Sequence, residues 1–208
     1  MSNVVVESET NTPIDPYPLL GVHDPTSLFN AIHQGDLNAV IILLRRGASV
    51  NSFSDHNDSV TPLFTAVRHG LYDIAKVLLE NGACVNVACG NDHDSPLGVA
   101  ARHNMCDMAE LLLQYKAGID WDHCRLPLEL ACWYGHLEVA EFLINHGAST
   151  KPRGKWGPVS YMGIASHRGH QHVVDMLERH GAYKPPPEPP YFPSKESPKR
   201  RNRFAFWK

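Results

Sequence analysis

No apolar run in this 208-residue chain approaches the roughly 18 residues needed to cross a bilayer. The opening stretch, MSNVVVESETNTP, has neither a basic start nor a long apolar centre, so it does not read as a secretory signal. CxxC is missing, and the five cysteines (Cys84, Cys89, Cys106, Cys124, Cys132) are an odd number. They read as reduced thiols of a cytosolic or nuclear protein, not as a disulfide scaffold. GxSxG, the P-loop, the glycine-rich dinucleotide fingerprint and HExxH are also missing. Thirteen histidines make chance neighbours unavoidable, such as Cys84 with Cys89 and His93, His103 with Cys106, and Cys132 with His136. None has the tight paired spacing of a structural zinc site. The sequence therefore gives no catalytic residue, metal ligand or cofactor to expect.

What is present is patterned. Net charge is −3, but residues 184–208 carry seven Lys/Arg and two Glu, which is +5 and leaves −8 on residues 1–183. Segments beginning at Thr26 (TSLFNAIHQG), Thr61 (TPLFTAVRHG), Ser95 (SPLGVAARHN), Leu126 (LPLELACWYG) and Ser160 (SYMGIASHRG) repeat at spacings of 35, 34, 31 and 34 residues. Twelve residues after the end of each comes a second landmark: Gly47, Gly82, Lys116, Gly147 and Gly181. Between them lie apolar pairs such as Leu78-Leu79 and Leu112-Leu113.

Each landmark has a physical meaning. Thr61 or Ser95 can accept a backbone N–H at a helix start, and the proline that follows suits the first helical residue. A short helix follows, with a central alanine (Ala31, Ala66, Ala100, Ala131, Ala165) that allows close approach of neighbours. LYDIAKVLLENG then has apolar positions 71, 74, 75, 78 and 79, the spacing of an amphipathic helix, and Gly82 ends it in the left-handed conformation. A unit of this size cannot bury its apolar face alone, so stacking must supply the core.

These residues resemble the ankyrin repeat family across about residues 24–183. The resemblance implies an all-α fold, an ankyrin-repeat solenoid of helix-turn-helix units with connecting hairpin loops. The expected organisation is an extended lead-in over 1–25, five repeats over 26–183, and a proline-rich then basic-aromatic tail over 184–208. Lys116 and Asn104 stand where glycine is expected, and Lys116 at the helix end should be left-handed. The connection into the fourth repeat is three residues short, so the stack should be irregular there, with Trp121 as cover. Repeats one and five should act as caps. His136 and His170 fall where the family commonly carries a hydrogen-bonding histidine, and Asn51 and Asn86 should bond within their hairpins.

The resemblance also implies that the ends of the first helices line a concave side whose residues are free to bind. That ladder reads His33-Gln34, Arg68-His69, Arg102-His103, Trp133-Tyr134 and His167-Arg168, a basic and aromatic stripe on an acidic body. Trp156, in the loop RGKWGP, is a further exposed candidate. Interfaces favour Trp, Tyr and Arg, and an acidic segment of a protein partner fits the charge. Reversing the charge of Arg68 and Arg102 should then abolish binding and leave melting unchanged.

The tail offers a second attachment. Lys184, Pro187 and Pro190 match a basic-plus-PxxP pattern for an SH3-type domain. Lys199, Arg200, Arg201 and Arg203, followed by Phe204, Phe206 and Trp207, suit docking to a partner better than nucleic acid or membrane contact. The leading expectation is a monomeric, non-catalytic adaptor or inhibitor of the cytoplasm or nucleus. The alternatives are a structural subunit of a larger assembly and, less well supported, an enzyme with a His- and Trp-lined concave pocket.

Overall fold

In the computed structural model, residues 25–54, 59–90, 93–121, 124–151 and 160–182 are described. They contain ten helices in five antiparallel pairs: α1 (Pro25–His33) with α2 (Leu37–Arg45), α3 (Pro62–Arg68) with α4 (Tyr72–Glu80), α5 (Pro96–Arg102) with α6 (Cys106–Gln114), α7 (Pro127–Tyr134) with α8 (Leu137–Asn145), and α9 (Tyr161–His167) with α10 (Gln171–Arg179). None is long and apolar enough to cross a membrane.

The helix starts follow the expected capping chemistry. Thr61 Oγ1 accepts from Phe64 N–H at 3.2 Å, and Ser95 Oγ from Gly98 N–H at 3.1 Å. Ser160 does the same toward Gly163 at 3.5 Å, without a proline behind it. Pro62, Pro96 and Pro127 each open a helix, where a missing N–H costs nothing. Leu126 has no side chain that can cap, and α7 starts without one. The first repeat differs from its expected register. Its helix begins at Pro25, so Thr26 lies inside α1 rather than before it.

The first helices pack side by side in the order α1, α3, α5, α7, α9. The second helices form another layer, in which α2 meets α4, and α8 meets both α6 and α10. Between the layers Leu28, Leu43, Leu63, Leu78, Leu97, Leu112, Leu128, Leu143 and Leu177 are almost completely buried. Each such leucine contributes about 1.5–3 kcal/mol of burial. The five central alanines are all buried, Ala66, Ala100, Ala131 and Ala165 completely, which lets adjacent first helices approach closely.

The connections close as hairpins where they are described: Ser54 N–H donates to Val60 O at 2.9 Å, and Cys89 N–H to Asp94 O at 3.0 Å. At the junction between the third and fourth repeats, where irregularity was expected, α5 and α7 are closely packed. Two features explain this. Gly98 leaves room for Leu130, whose Cδ1 would stand 3.2 Å from a Cβ placed there. Asp94 and Arg125 also pair as neighbouring extended residues, tying one connection to the next. The short connection itself is half-covered by Trp121, packed over Gly118.

Candidate interaction face

The residues that hold repeat to repeat must be separated from those left over. His136 Nε2 lies 2.7 Å from Arg102 O, and His170 Nε2 3.2 Å from Trp133 O, so each ring reaches back to the first helix of the preceding repeat. These are the framework histidines the resemblance implied. His172 Nε2 adds a contact to Gly135 O at 2.9 Å. The asparagines differ from expectation. Asn51 accepts from Cys84 N–H at 2.8 Å and donates to Gly82 O at 3.1 Å, while Asn86 accepts from Gly118 N–H at 2.7 Å and donates to Lys116 O at 3.3 Å. Their bonds therefore join consecutive repeats rather than closing their own hairpins. A carboxamide reaches the adjacent turn because the stacking brings that turn's free N–H and C=O within one side-chain length. Asp120 holds Ser149 N–H in the same way, at 3.1 and 3.3 Å.

The ends of the first helices carry the stripe. Arg68, His69, His103, Tyr134, His167 and Arg168 are exposed, and Arg102 and Trp133 are half-buried. The rings and guanidinium groups meet across repeats. His33 and His69 meet edge to face at 5.2 Å between centroids. Arg102 lies 5.9 Å from the Tyr134 ring, and Arg168 lies 3.8 Å above Trp133. Arg68 lies 6.0 Å from Phe64 on its own helix. Such contacts hold cations in place on aromatic faces.

Burial, then His33 and Arg68, lower the His69 pKa. His103 is lowered by burial, then Arg102 and His136. Both rings are therefore driven toward the neutral form, and Arg68, Arg102 and Arg168 give the stripe fixed positive charge.

One of those arginines has a second task. Arg102 Nη2 is paired with Asp94 Oδ2, and Arg125 Nε reaches Asp94 Oδ1 at 2.9 Å. Asp94 is 1 % exposed, so its charge is compensated by these two guanidinium groups. Glu129 stands close to the same cluster, its pKa raised by burial and by Asp94 against the opposing pull of Arg125. Reversing Arg102 would set a carboxylate against Asp94, so that change cannot leave stability untouched. Read from the sequence as tips of their hairpins, Asp94 and Arg125 instead form a pair, the first buried and the second half-buried, and a signal for that pairing existed. Both directly precede the start of a repeat, in DSPL and RLPL, so opposite charges occupy the same register one repeat apart.

The opposite layer carries the acids. Asp73, Asp107, Glu110, Glu138, Asp175 and Glu178 lie exposed on the second helices, whereas none of the ten ladder positions is acidic. Among the described residues no three His, Cys, Asp or Glu groups converge as metal ligands would. Burial raises the thiol pKa of Cys89, Cys106 and Cys132, which stay protonated. Trp156, the SH3-type pattern at Lys184, Pro187 and Pro190, and the contacts assigned to Lys199, Arg200, Arg201, Arg203, Phe204, Phe206 and Trp207 lie outside the described residues.

Paired helices stacked in two layers, joined by hairpins and by side chains that reach the next turn, define a helical repeat protein. The sequence model described as Ankyrin repeats (3 copies) matches residues 14–89 and 87–153, and the chain belongs to the ankyrin repeat family. The pair α9 and α10, beyond those residues, continues the same two layers.

Among curated proteins, the chain is similar to Dynein axonemal heavy chain 12 of Bos taurus, 39 % identical over 67 residues, which are 32 % of this chain and 17 % of that protein. It is 40 % identical over 78 residues to the 2-5A-dependent ribonuclease of Mus musculus, covering 35 % of this chain and 10 % of the relative. It is 35 % identical over 72 residues to the putative ankyrin repeat protein FPV216 of Fowlpox virus, covering 35 % and 24 %. The matched segment thus spans at most 24 % of the length of these relatives.

Proposed function

We propose that the chain is a non-catalytic protein-binding module whose working surface is the stripe at the ends of the first helices, and whose partner presents an acidic segment. The observation that carries this reading is the separation of charge and aromatic groups. Arginines, imidazoles, Trp133 and Tyr134 share one edge without a carboxylate on the ladder, while the exposed acids of the helices, among the described residues, lie on the second helices. Such a surface selects the sign and orientation of what docks on it. The relatives, a dynein heavy chain, a ribonuclease and a viral ankyrin repeat protein, carry unlike names, which fits a shared binding segment.

The test is capture of partners from native extract by the full chain, by residues 1–183, and by stripe variants. Arg68→Glu and Tyr134→Ala should each lose the captured proteins, with the thermal midpoint within a few degrees of the parent. Glu110→Gln, on the opposite layer, should retain them. Partners kept by both stripe variants and lost on removing 184–208 would instead make the tail the working end.

A further inference from the structure

We infer that Arg168, laid flat on Trp133, is the anchor that receives a side-chain carboxylate of the protein partner, while the exposed ring of Tyr134 receives an apolar neighbour of that carboxylate. This rests on the stripe being the docking surface and adds which residue takes the charge.

Three observations converge on Arg168. First, its guanidinium carbon lies 3.8 Å from the centre of the indole ring, close enough for the planar group to stack on it. Stacking covers one face of the guanidinium and leaves its in-plane N–H edge open, the edge that pairs with both oxygens of a carboxylate. The ring also fixes the side chain before binding, so less rotamer entropy remains to be lost. Second, its donors are uncommitted. Among the described residues, neither a carboxylate nor a carbonyl pairs with the Arg168 side chain. Arg102 and Arg125, by contrast, are drawn onto Asp94. Third, the next ladder residue after Trp133 is Tyr134, 42 % exposed, its ring stacked at 6.1 Å on His136 and approached by Arg102. A fixed aromatic surface beside an open cation fits a short acidic and apolar segment.

A polyanion is the poorer fit. Nucleic acid presents phosphates in close succession, and its binding gains from many cations together. Residues 1–183 carry −8, and α4, α6, α8 and α10 each bear acids, so a single carboxylate is better matched than a phosphate chain.

The test uses the full chain and a random peptide library displayed on phage. Selected peptides are synthesised and their affinities measured by fluorescence anisotropy. The expected peptides carry Asp or Glu within three residues of an aromatic or large aliphatic side chain. Arg168→Gln should weaken them at least tenfold. Arg168→Lys should recover only part of that loss, because an ammonium group does not present the stacked planar edge. Replacing the peptide's acid by its amide should cost the parent chain the same factor and the Arg168→Gln chain almost nothing, the coupling that marks direct contact.

Independent, additive losses would overturn the assignment, as would selected peptides that bind Arg168→Gln undiminished. If those peptides still depend on Arg68 and Tyr134, only the anchor fails and the stripe stands. If neither matters, or if no peptide is selected, the stripe reading falls with it. A short single-stranded oligonucleotide that binds with the same dependence on Arg168 would overturn the choice of a protein partner.

Discussion

Lys116 ends α6 at φ +65°, where the equivalent residues of other repeats are Gly82 and Gly147. The helix must stop there, and only a left-handed residue lets Ala117 N–H reach back to Leu112 O at 3.0 Å. Lysine has a Cβ that opposes this conformation by about 1–2 kcal/mol, and glycine gives back about 0.4–1 kcal/mol through its freer unfolded chain. Lys116→Gly is therefore expected to stabilise the protein by about 0.5–1 kcal/mol, read as a higher denaturant midpoint with an unchanged slope. A lower midpoint would show that the Lys116 side chain makes a compensating contact. Asn104, at φ +55°, meets the same demand with a residue type that tolerates it. The Lys116 conformation was legible in the sequence because the requirement is local, set by one turn of chain. Thr26 was not: a capping residue type was present, but α1 starts one residue before it, at Pro25.

At the level of elements, the contact between α5 and α7 governs the middle of the array. It combines close packing at Gly98 with a buried carboxylate held by two arginines. Asp94→Ala should cost about 3 kcal/mol or more, because two half-buried guanidinium groups lose their shared partner. The loss would appear in thermal melting.

Glu129 should behave in the opposite sense. Its pKa is raised from 4.5 chiefly by burial, so the folded state holds the carboxyl proton more tightly than the unfolded state. Its protonated form contributes stability below the unfolded value, and that contribution is lost as pH rises through the folded value. Glu129→Gln should therefore raise the midpoint at pH 8, with the difference shrinking toward pH 4. A destabilised variant at pH 8 would mean that the ionised carboxylate is held favourably by Arg125. The sequence pointed to irregular stacking at this junction from its short connection. It could not show that Asp94 and Arg125 meet, because their pairing depends on the register of one repeat on the next.

For the molecule as a whole, every repeat buries its apolar face against a neighbour, and the large buried side chains of the described residues run from Leu28 to Leu177. A stack of this kind derives its stability from nearest-neighbour contacts. Deleting residues 184–208 is therefore expected to leave helicity and the thermal midpoint unchanged, as circular dichroism would show. A fall of many degrees would make the tail part of the folded body. The same organisation separates the framework from the ladder: framework contacts repeat along the array, whereas the ladder residues change from repeat to repeat.

The stripe at the helix ends came from the family resemblance, while the amino-acid sequence by itself determined the repeat, the helix pairs, and the buried leucines and alanines. These follow from periodicity, capping and the left-handed demand of glycine, all of which act within one repeat's length. Only the tertiary structure decided which polar groups are free. Arg102 and Arg168 hold nearly the same place in their repeats, yet one is drawn onto Asp94 while the other lies over Trp133, with no carboxylate partner among the described residues. That difference comes from a carboxylate eight residues before Arg102 and an indole on the repeat before Arg168, and stacking brings each within reach.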